Sequence, residues 1–326
     1  MSQIFSPPWW AKNPHIQTIL PVLTKVDRPQ LRRERLELSD GDFIDLDWQG
    51  SPRDEQPILV IIHGLEGSAQ SHYARRMLAA SKALNLCTVV HHHRSCSGEL
   101  NRLPRGYHSG DTQDLQTSLS HLKTLHPNCR LLAVGYSLGG NVLVKYQGEQ
   151  QDNSLIDRGV AVSAPLQLGS CANRLEKGFS KLYQSYLIKQ LQQKMRGKVA
   201  RPELAPLMPI SQSEINRLTT FYAFDDKITA PLHGFADVHD YYTRASGLPY
   251  LSQITNPTLV MHAKDDPFMT HAVIPSQSQL SEQVQYELHE NGGHVGFIDG
   301  GSPWRPQYYL EKRVLNFLTS LEISLC

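Results

Sequence analysis

The sequence predicts an α/β protein built around a mostly parallel sheet of about eight strands. Three observations lead to this prediction. Short strand-like runs alternate with longer segments that carry apolar residues at helical spacing. The middle runs are continuous stretches of Val, Ile and Leu, which is typical of parallel strands buried on both faces. One long segment, residues 166–248, interrupts the alternation and contains no strand-like run.

The candidate strands differ in pattern along the chain. The first two, "RLELS" (35–39) and "DFIDLDW" (42–48), alternate polar and apolar residues, which predicts a half-exposed antiparallel hairpin. The later runs predict the parallel part of the sheet. These later candidates are "PILVIIHG" (57–64), "CTVVHHH" (87–93), "RLLAVGY" (130–136), "GVAVSAP" (159–165), "PTLVMHA" (257–263) and "VQYELHE" (284–290).

Helical patterns fill most of the spaces between these strands. Segments 71–84, 112–125 and 308–322 carry apolar residues at helical spacing, and Asp111 or Thr112 could cap the second of them. Within 166–248, "LEKGFSKLYQSYLIKQLQQKM" predicts one long helix.

Residues 166–248 are therefore predicted to form a helical cap, inserted into a single domain that spans residues 1–326. Connections at the carboxyl ends of parallel strands surround the usual ligand crevice, which favours a lid over a layer that only packs.

Composition excludes several classes of protein. Of the 326 residues, 40% are hydrophobic and 19% are charged, as expected for a folded globular chain. The formal net charge of +1 indicates no general attraction to nucleic acid. No apolar run is long enough for a transmembrane helix, and the first residues do not resemble a signal peptide.

The cysteines are few, odd in number and without CxxC spacing, so they predict neither a disulfide framework nor a zinc site. They are Cys87, Cys96, Cys129, Cys171 and Cys326. We interpret them as reduced thiols and expect a cytoplasmic protein.

A candidate nucleophile lies where a buried strand gives way to a helix. The segment Gly135-Tyr136-Ser137-Leu138-Gly139 fits the pattern G-x-S-x-G. Such a sharp turn strains the serine backbone, and glycines on either side remove the Cβ atoms that would collide with the neighbouring strand and helix. The start of the following helix directs free N–H groups towards any oxyanion formed beside the serine.

A serine hydroxyl needs a base, and the base needs an orienting carboxylate. After a turn of this type the acid precedes the histidine in the chain. Asp265 and Asp266 directly follow a predicted buried strand, and His294 follows the last one in a Gly-rich loop. Adjacent residues point in different directions, so only one aspartate can orient the histidine. We favour Asp266, with Asp265 facing solvent or capping the turn.

Two backbone N–H groups are predicted to hold the oxyanion. One belongs to Leu138, the residue after the serine, and the other to Leu65, in the loop after an early buried strand.

Three other features of the sequence are interpreted as structural and not as parts of a functional site. The run His91 to His93 cannot direct all its rings to one metal from an extended chain, and His262 is interpreted as a core histidine. Trp9 and Trp10 are expected to pack the N-terminal arm onto the domain.

Linked motifs also occur in order over nearly the whole chain, from about Pro7 to the last helix: "PPWWAKNPHIQTI", "HGLEGS", "HHRSCSGELNR", "YHSGDTQDL", "GYSLGGN", "DDKITAPLHGF", "DYYTRAS", "AKDDPF" and "NGGHVGF". Together they resemble the α/β-hydrolase superfamily, and within it the group of bacterial esterases and eukaryotic abhydrolase-domain lipases and phospholipases.

This resemblance implies an α/β-hydrolase fold with a helical cap, a nucleophile at Ser137, an acid at Asp266 and a base at His294. Relatives usually carry Asn-x-Arg-Gly after the fourth strand, whereas this chain has His92-His93-Arg94-Ser95, so a different loop is expected there. Eukaryotic relatives often begin with a membrane anchor, and its absence favours the bacterial type.

The sequence thus predicts a serine hydrolase that cleaves carboxylic esters, with short- to medium-chain acyl groups, and requires no metal or organic cofactor. The expected partner is a small or lipid-like ester, without nucleic acid and without a transmembrane segment. Tyr183, Tyr186, Leu187 and Leu191 either line an acyl pocket or pack the cap helices.

Several alternatives use the same scaffold. A thioesterase, a lipase, an amidase, a lyase or a cofactor-free haloperoxidase could use the same three side chains. A non-catalytic binding protein is a further alternative, although such proteins commonly lack one member of the triad.

Overall fold

An eight-stranded sheet forms the centre of the molecule in the computed structural model, which describes residues 5–320. In chain order its strands are β1 (Arg32–Glu37), β2 (Phe43–Gln49), β3 (Ile58–Ile62), β4 (Cys87–His91), β5 (Leu131–Tyr136), β6 (Arg158–Val162), β7 (Thr258–Ala263) and β8 (Val284–His289). Their spatial order is β1-β2-β4-β3-β5-β6-β7-β8. Strand β2 is antiparallel to both β1 and β4, and all pairs from β4 to β8 are parallel. The predicted mostly parallel sheet is therefore confirmed.

The helices outside the segment between β6 and β7 are α1 (Pro14–Leu23), α2 (His72–Ala83), α3 (Gln113–Leu125), α4 (Leu138–Gln150) and a C-terminal helix (Leu310–Thr319). All of them except α1 pack against the sheet, and they cover both of its faces. In β3, Leu59 and Ile61 pack with α2 and the C-terminal helix, whereas Ile58, Val60 and Ile62 pack with α3 and α4. Both faces of the strand are buried, which explains its unbroken apolar sequence.

The segment between β6 and β7 contains the helices of residues 166–248. They are α5 (Leu168–Leu175), α6 (Ser180–Val199), α7 (Gln212–Ile215), α8 (Phe221–Phe224), α9 (Ala230–Leu232) and α10 (Val238–Ala245), and the C-terminal helix is α11. We call residues 166–248 the insert. The prediction of one long helix from residue 175 was wrong, because the chain breaks at Gly178, which has φ of 55°, and α6 begins only at Ser180.

Strand β2 departs from the predicted half-exposed hairpin, because all its residues are buried. The carboxylates of Asp45 and Asp47 receive paired hydrogen bonds from Arg35 and Arg33 on β1. The alternating pattern therefore reports charged residues covered by arginines, not a face open to solvent. These contacts hold the pKa of Asp45 below its ordinary value, against the opposing effect of burial.

Other local expectations also fail. Thr112 occupies the N-cap position of α3, but its hydroxyl donates to Glu149 and makes no capping hydrogen bond. A hairpin of β9 (Ile298–Ser302) and β10 (Arg305–Tyr308) was not predicted, because its Gly- and Pro-rich sequence indicates a loop. Of the two tryptophans expected to pack onto the domain, Trp9 is 85% exposed and does not, whereas Trp10 is half-buried.

Four cysteines lie in the described part of the chain, and all four are buried free thiols. Cys326 and the last two residues of the predicted C-terminal helix lie outside the described residues. The described helices include none that is long and apolar enough to cross a membrane.

Candidate active site

Ser137 lies in the turn between β5 and α4, with φ of 52° and ψ of −120°. Its N–H donates to the carbonyl oxygen of Val162 on β6 at 2.8 Å, which ties the turn to the sheet. A Cβ atom on Gly139 would lie 2.3 Å from the carbonyl oxygen of Ile62, and one on Gly135 would lie 2.3 Å from that of Gly139. Only glycine fits at either position, so the turn carries Ser137 at the carboxyl end of the sheet.

The three side chains named from the sequence form one hydrogen-bonded chain. Nε2 of His294 lies 2.9 Å from Oγ of Ser137. Nδ1 of the same ring lies 2.8 Å from Oδ2 of Asp266, and Oδ1 of Asp266 accepts from the Phe268 N–H at 2.8 Å. Asp266 is buried, and these contacts satisfy both of its carboxylate oxygens. The geometry suits a histidine that takes a proton from the serine hydroxyl.

Asp265 has a different part in the same loop system. Its carboxylate accepts from the backbone N–H of Gly293 at 2.9 Å and from the Asn291 side chain at 3.3 Å. The sequence had suggested that Asp265 faces solvent or caps its own turn; it is half-buried, and its carboxylate holds the loop that carries His294. Burial raises the pKa of Asp265 above its ordinary value.

The N-terminal helix also holds the histidine loop. The backbone N–H of His294 donates to the hydroxyl of Thr18 on α1 at 3.0 Å. A Cβ atom on Gly293 would lie 2.6 Å from the carbonyl oxygen of Pro14, so α1 packs directly on this loop. The ring of Phe268 stacks on the imidazole, with centroids 4.0 Å apart. Sequence reasoning missed Thr18 and Phe268, because no local pattern links them to His294.

Leu65 and Leu138 both line the cleft that contains Ser137 and His294. Among the described residues, neither backbone N–H has a hydrogen-bond acceptor. Both donors are therefore available to a ligand, as an oxyanion site requires.

The loop that contains Leu65 is held by side chains. The N–H of Gly64 donates to the hydroxyl of Tyr73, and the N–H of Glu66 donates to that of Tyr107 at 2.8 Å. The Tyr107 hydroxyl donates in turn to the Glu66 carboxylate, which Lys194 of α6 also contacts at 2.9 Å. Tyr107 is present in the quoted motif "YHSGDTQDL", but its contact with this loop could not be read from the sequence.

Lys194 connects the insert to the sheet. Its ammonium also contacts Sγ of Cys96 at 3.0 Å. Burial by itself would lower the pKa of Lys194, but the neighbouring Cys96 and Glu66 raise it above its ordinary value. The lysine is therefore charged at neutral pH and pairs with the loop beside Leu65.

The insert forms the apolar side of the cleft. Leu187 and Leu191 of α6 line it, together with Leu168, Leu175, Met195 and Phe221. The cleft encloses about 1120 Å³ of empty space, part of which is open to solvent. Of the other two residues named as acyl contacts, Tyr183 packs against Phe268 and Tyr186 is 66% exposed.

The histidine run has structural partners on separate elements. His92 lies 2.9 Å from Asp47, His91 lies 2.8 Å from Ser118, and His93 contacts the carbonyl oxygen of His63. His262 is buried, with its ring nitrogens near Ala164 and Tyr286. 

Ser95, at the position where relatives usually have glycine, has φ of 64°. It adopts the left-handed conformation that glycine favours, and its hydroxyl donates to the Asn101 side chain at 2.6 Å.

Comparison with known proteins agrees with this architecture. Residues 57–301 match the family model described as alpha/beta hydrolase fold. The chain is 44% identical over 321 residues to an Escherichia coli (strain K12) protein named "Putative esterase YheT", covering 96% of this chain and 93% of that protein. It is 27% identical to human "Phospholipase ABHD3", covering 98% and 80%. The Pyrococcus furiosus esterase Pf2001 structure has the same fold, with a TM-score of 0.55 at 16% identity and coverage of 89% and 92%.

The sheet order, the serine turn and the extent of these matches together define the class of protein. This chain belongs to the α/β-hydrolase fold family. Its similarity to the Escherichia coli protein extends over nearly the full length of both chains, so it includes the insert as well as the sheet.

Proposed function

We propose that this chain, an esterase of the α/β-hydrolase family, cleaves carboxylic esters through an acyl-enzyme on Ser137. The observation that carries the proposal is the hydrogen-bonded chain from Ser137 through His294 to Asp266 at 2.9 and 2.8 Å, beside an apolar cleft. The order Ser, Asp, His along the chain is the one that this fold uses.

Acylation begins with proton transfer from the Ser137 hydroxyl to Nε2 of His294 as the oxygen attacks the ester carbonyl. Asp266 accepts the Nδ1–H of the imidazole, which selects the reactive tautomer and stabilises the imidazolium that forms. The tetrahedral oxyanion accepts from the N–H groups of Leu65 and Leu138. His294 then protonates the leaving alkoxide, and the alcohol departs.

Deacylation uses the same groups in reverse. His294 takes a proton from a water molecule that attacks the acyl carbonyl, and returns it to Ser137 Oγ as the carboxylic acid is released. No step requires a group beyond the chain's own residues and water.

The cleft supports an acyl group of apolar character. Leu187, Leu191 and Phe221 provide an apolar surface from the insert, which we infer to act as a cap over the acyl chain. Short- to medium-chain esters are the proposed substrates. Turnover of p-nitrophenyl acetate, butyrate, octanoate and dodecanoate, beside an acyl-coenzyme A thioester, distinguishes this specificity from that of a lipase or thioesterase.

Replacing Ser137 with Ala tests the proposal. We expect turnover of p-nitrophenyl butyrate to fall by on the order of 10³-fold or more, because the nucleophile is lost. The control is Ser51→Ala. It also removes a serine hydroxyl, but Ser51 is exposed and is not among the residues that line the cleft. A fluorophosphonate probe should label the parent and Ser51→Ala but not Ser137→Ala. Equal turnover by the parent and Ser137→Ala would refute the proposal.

A further inference from the structure

Helix α1 has the reverse of the usual amphipathic arrangement. It buries Gln17 and Thr18, whereas Val22 is 58% exposed and Leu23 is 72% exposed. The burial of Gln17 has a structural cause, because its side-chain amide bonds to the carbonyl oxygen of Ala11 and to both backbone groups of Ile298. The exposed apolar stripe has no such cause, and exposed apolar residues on one helix face mark an interaction surface.

The first half of α6 shows the same inversion. It buries Ser180, which donates to the carbonyl oxygen of Pro267, and Gln184, which accepts from the N–H of Phe221. Leu182 is 60% exposed, and Tyr186, one turn further along the same face, is 66% exposed.

These two stripes meet at His15. Its Nδ1 lies 3.0 Å from the hydroxyl of Tyr183, and its ring centroid lies 4.2 Å from that of Phe179. We call the combined surface the apolar face. It consists of Ile16, Ile19, Val22, Leu23, Phe179, Leu182 and Tyr186, all of which are exposed.

The two helices of the apolar face carry basic side chains and no acidic ones. Neither α1 nor α6 contains an Asp or Glu, and the first acidic residue of the chain is Asp27. Exposed lysines flank or interrupt the stripes: Lys12, Lys25, Lys181 and Lys189. Asp265, which acts electrostatically on His15, is partly buried and accepts a hydrogen bond from Gly293.

We propose that the apolar face rests on the surface of a bilayer that contains anionic lipid. An apolar stripe bordered by lysines without acids is the pattern of helices that lie in the headgroup region, where apolar burial and attraction to anionic lipid act together. A protein partner of mixed charge would not account for the absence of acids on both helices.

The position of the apolar face relates it to the cleft. Tyr183 packs on Phe268 at 4.9 Å, and Phe268 stacks on His294. Leu187 directly follows the exposed Tyr186 on α6 and lines the cleft. When the protein rests on the bilayer through the apolar face, its cleft would therefore lie beside the lipid. The docking itself does not depend on the proposed esterase activity.

Flotation of the full chain with vesicles tests the inference. Vesicles of equal parts phosphatidylcholine and phosphatidylglycerol should carry the protein, and vesicles of phosphatidylcholine alone should carry much less. The variant Val22→Ser/Leu182→Ser should lower the partition coefficient by about tenfold or more. The control is Leu125→Ser, because Leu125 is 50% exposed at the end of α3, a helix that is not part of the apolar face.

A second variant tests the charge without touching the apolar residues. Lys181→Gln/Lys189→Gln should lower binding to the anionic vesicles by about tenfold, and raised salt should do the same to the parent chain. Turnover of soluble p-nitrophenyl butyrate should be unchanged in both variants, which shows that they fold.

Three results would overturn the inference: absence of parent binding to the anionic vesicles, equal loss in Leu125→Ser, or a dimer in solution that Val22→Ser/Leu182→Ser dissociates. The last result would make the apolar face a contact between two copies of the chain. If the apolar variant failed to fold, the lysine variant would still decide the question.

Discussion

The two sides of Ser137 are built in different ways. On one side, backbone packing determines the serine turn, because Gly139 lies against the carbonyl oxygen of Ile62 with no room for a further atom. On the other side, side chains hold the loop of Leu65: Tyr107 and Lys194 reach Glu66 from separate parts of the chain. The first side belongs to the sheet and the second depends on the insert.

This difference indicates how each side responds to change. Closely packed backbone cannot accommodate an added atom unless a strand moves, so a single added methyl group should cause a large loss of stability. In a set of side-chain contacts, a substitution removes one hydrogen bond or ion pair at a time, and each of these contributes only a limited free energy. Substitutions at the glycines of the serine turn should therefore abolish folding or activity, whereas substitutions around the loop of Leu65 should lower activity by intermediate amounts.

The largest effect is expected from Gly139→Ala. The added Cβ would lie 2.3 Å from the carbonyl oxygen of Ile62, so β3 or the turn must move. We expect a loss of more than about 4 kcal/mol in the free energy of unfolding, and no measurable ester turnover. Urea denaturation and turnover of p-nitrophenyl butyrate provide the measurement.

The matched control is Gly169→Ala on α5. Its Cβ would lie 3.4 Å from the Tyr242 ring, an ordinary contact, so stability should change little. A folded and active Gly139→Ala would show that the serine turn is less tightly packed than its contacts imply.

The next largest effect separates the two adjacent aspartates. Asp266→Asn removes the negative charge that stabilises the imidazolium and no longer selects the reactive tautomer of His294. We therefore expect kcat to fall by on the order of 10⁴-fold. Asp265→Asn keeps an oxygen that can accept from the Gly293 N–H, so kcat should fall by about tenfold at most.

Steady-state kinetics of both variants with p-nitrophenyl butyrate decide the assignment, with circular dichroism as the check on folding. The opposite ranking would move the role of the acid from Asp266 to Asp265 and contradict the proposed mechanism.

The smallest effect is expected on the side that depends on the insert. Lys194→Met removes the ammonium that pairs with Glu66 but keeps the apolar stem. We expect kcat to fall by about tenfold, because the donor at Leu65 is less well held, whereas Lys194→Arg should recover part of the rate.

The readout is the separate change in kcat and KM across acyl lengths, since Lys194 also lines the cleft. A change confined to KM would show that Lys194 contacts the substrate and does not position the loop of Leu65.

The sequence by itself determined the sheet and the serine turn. The unbroken apolar run from 57 to 64 predicted a strand buried on both faces, and β3 packs with helices on each. The spacing of Gly135, Ser137 and Gly139 predicted a turn that excludes Cβ atoms. These signals are local, because the periodicity of a strand and the steric needs of a turn depend on residues near in the chain.

The tertiary structure alone decided which groups support the site. It showed that Asp265 holds the histidine loop, that Thr18 accepts from the N–H of His294, and that Lys194 pairs with Glu66. It also showed that β2 is buried on both faces, although its alternating sequence had indicated an exposed face. Each of these results joins residues far apart in the chain, and such contacts follow from how elements pack in space, which no local pattern records.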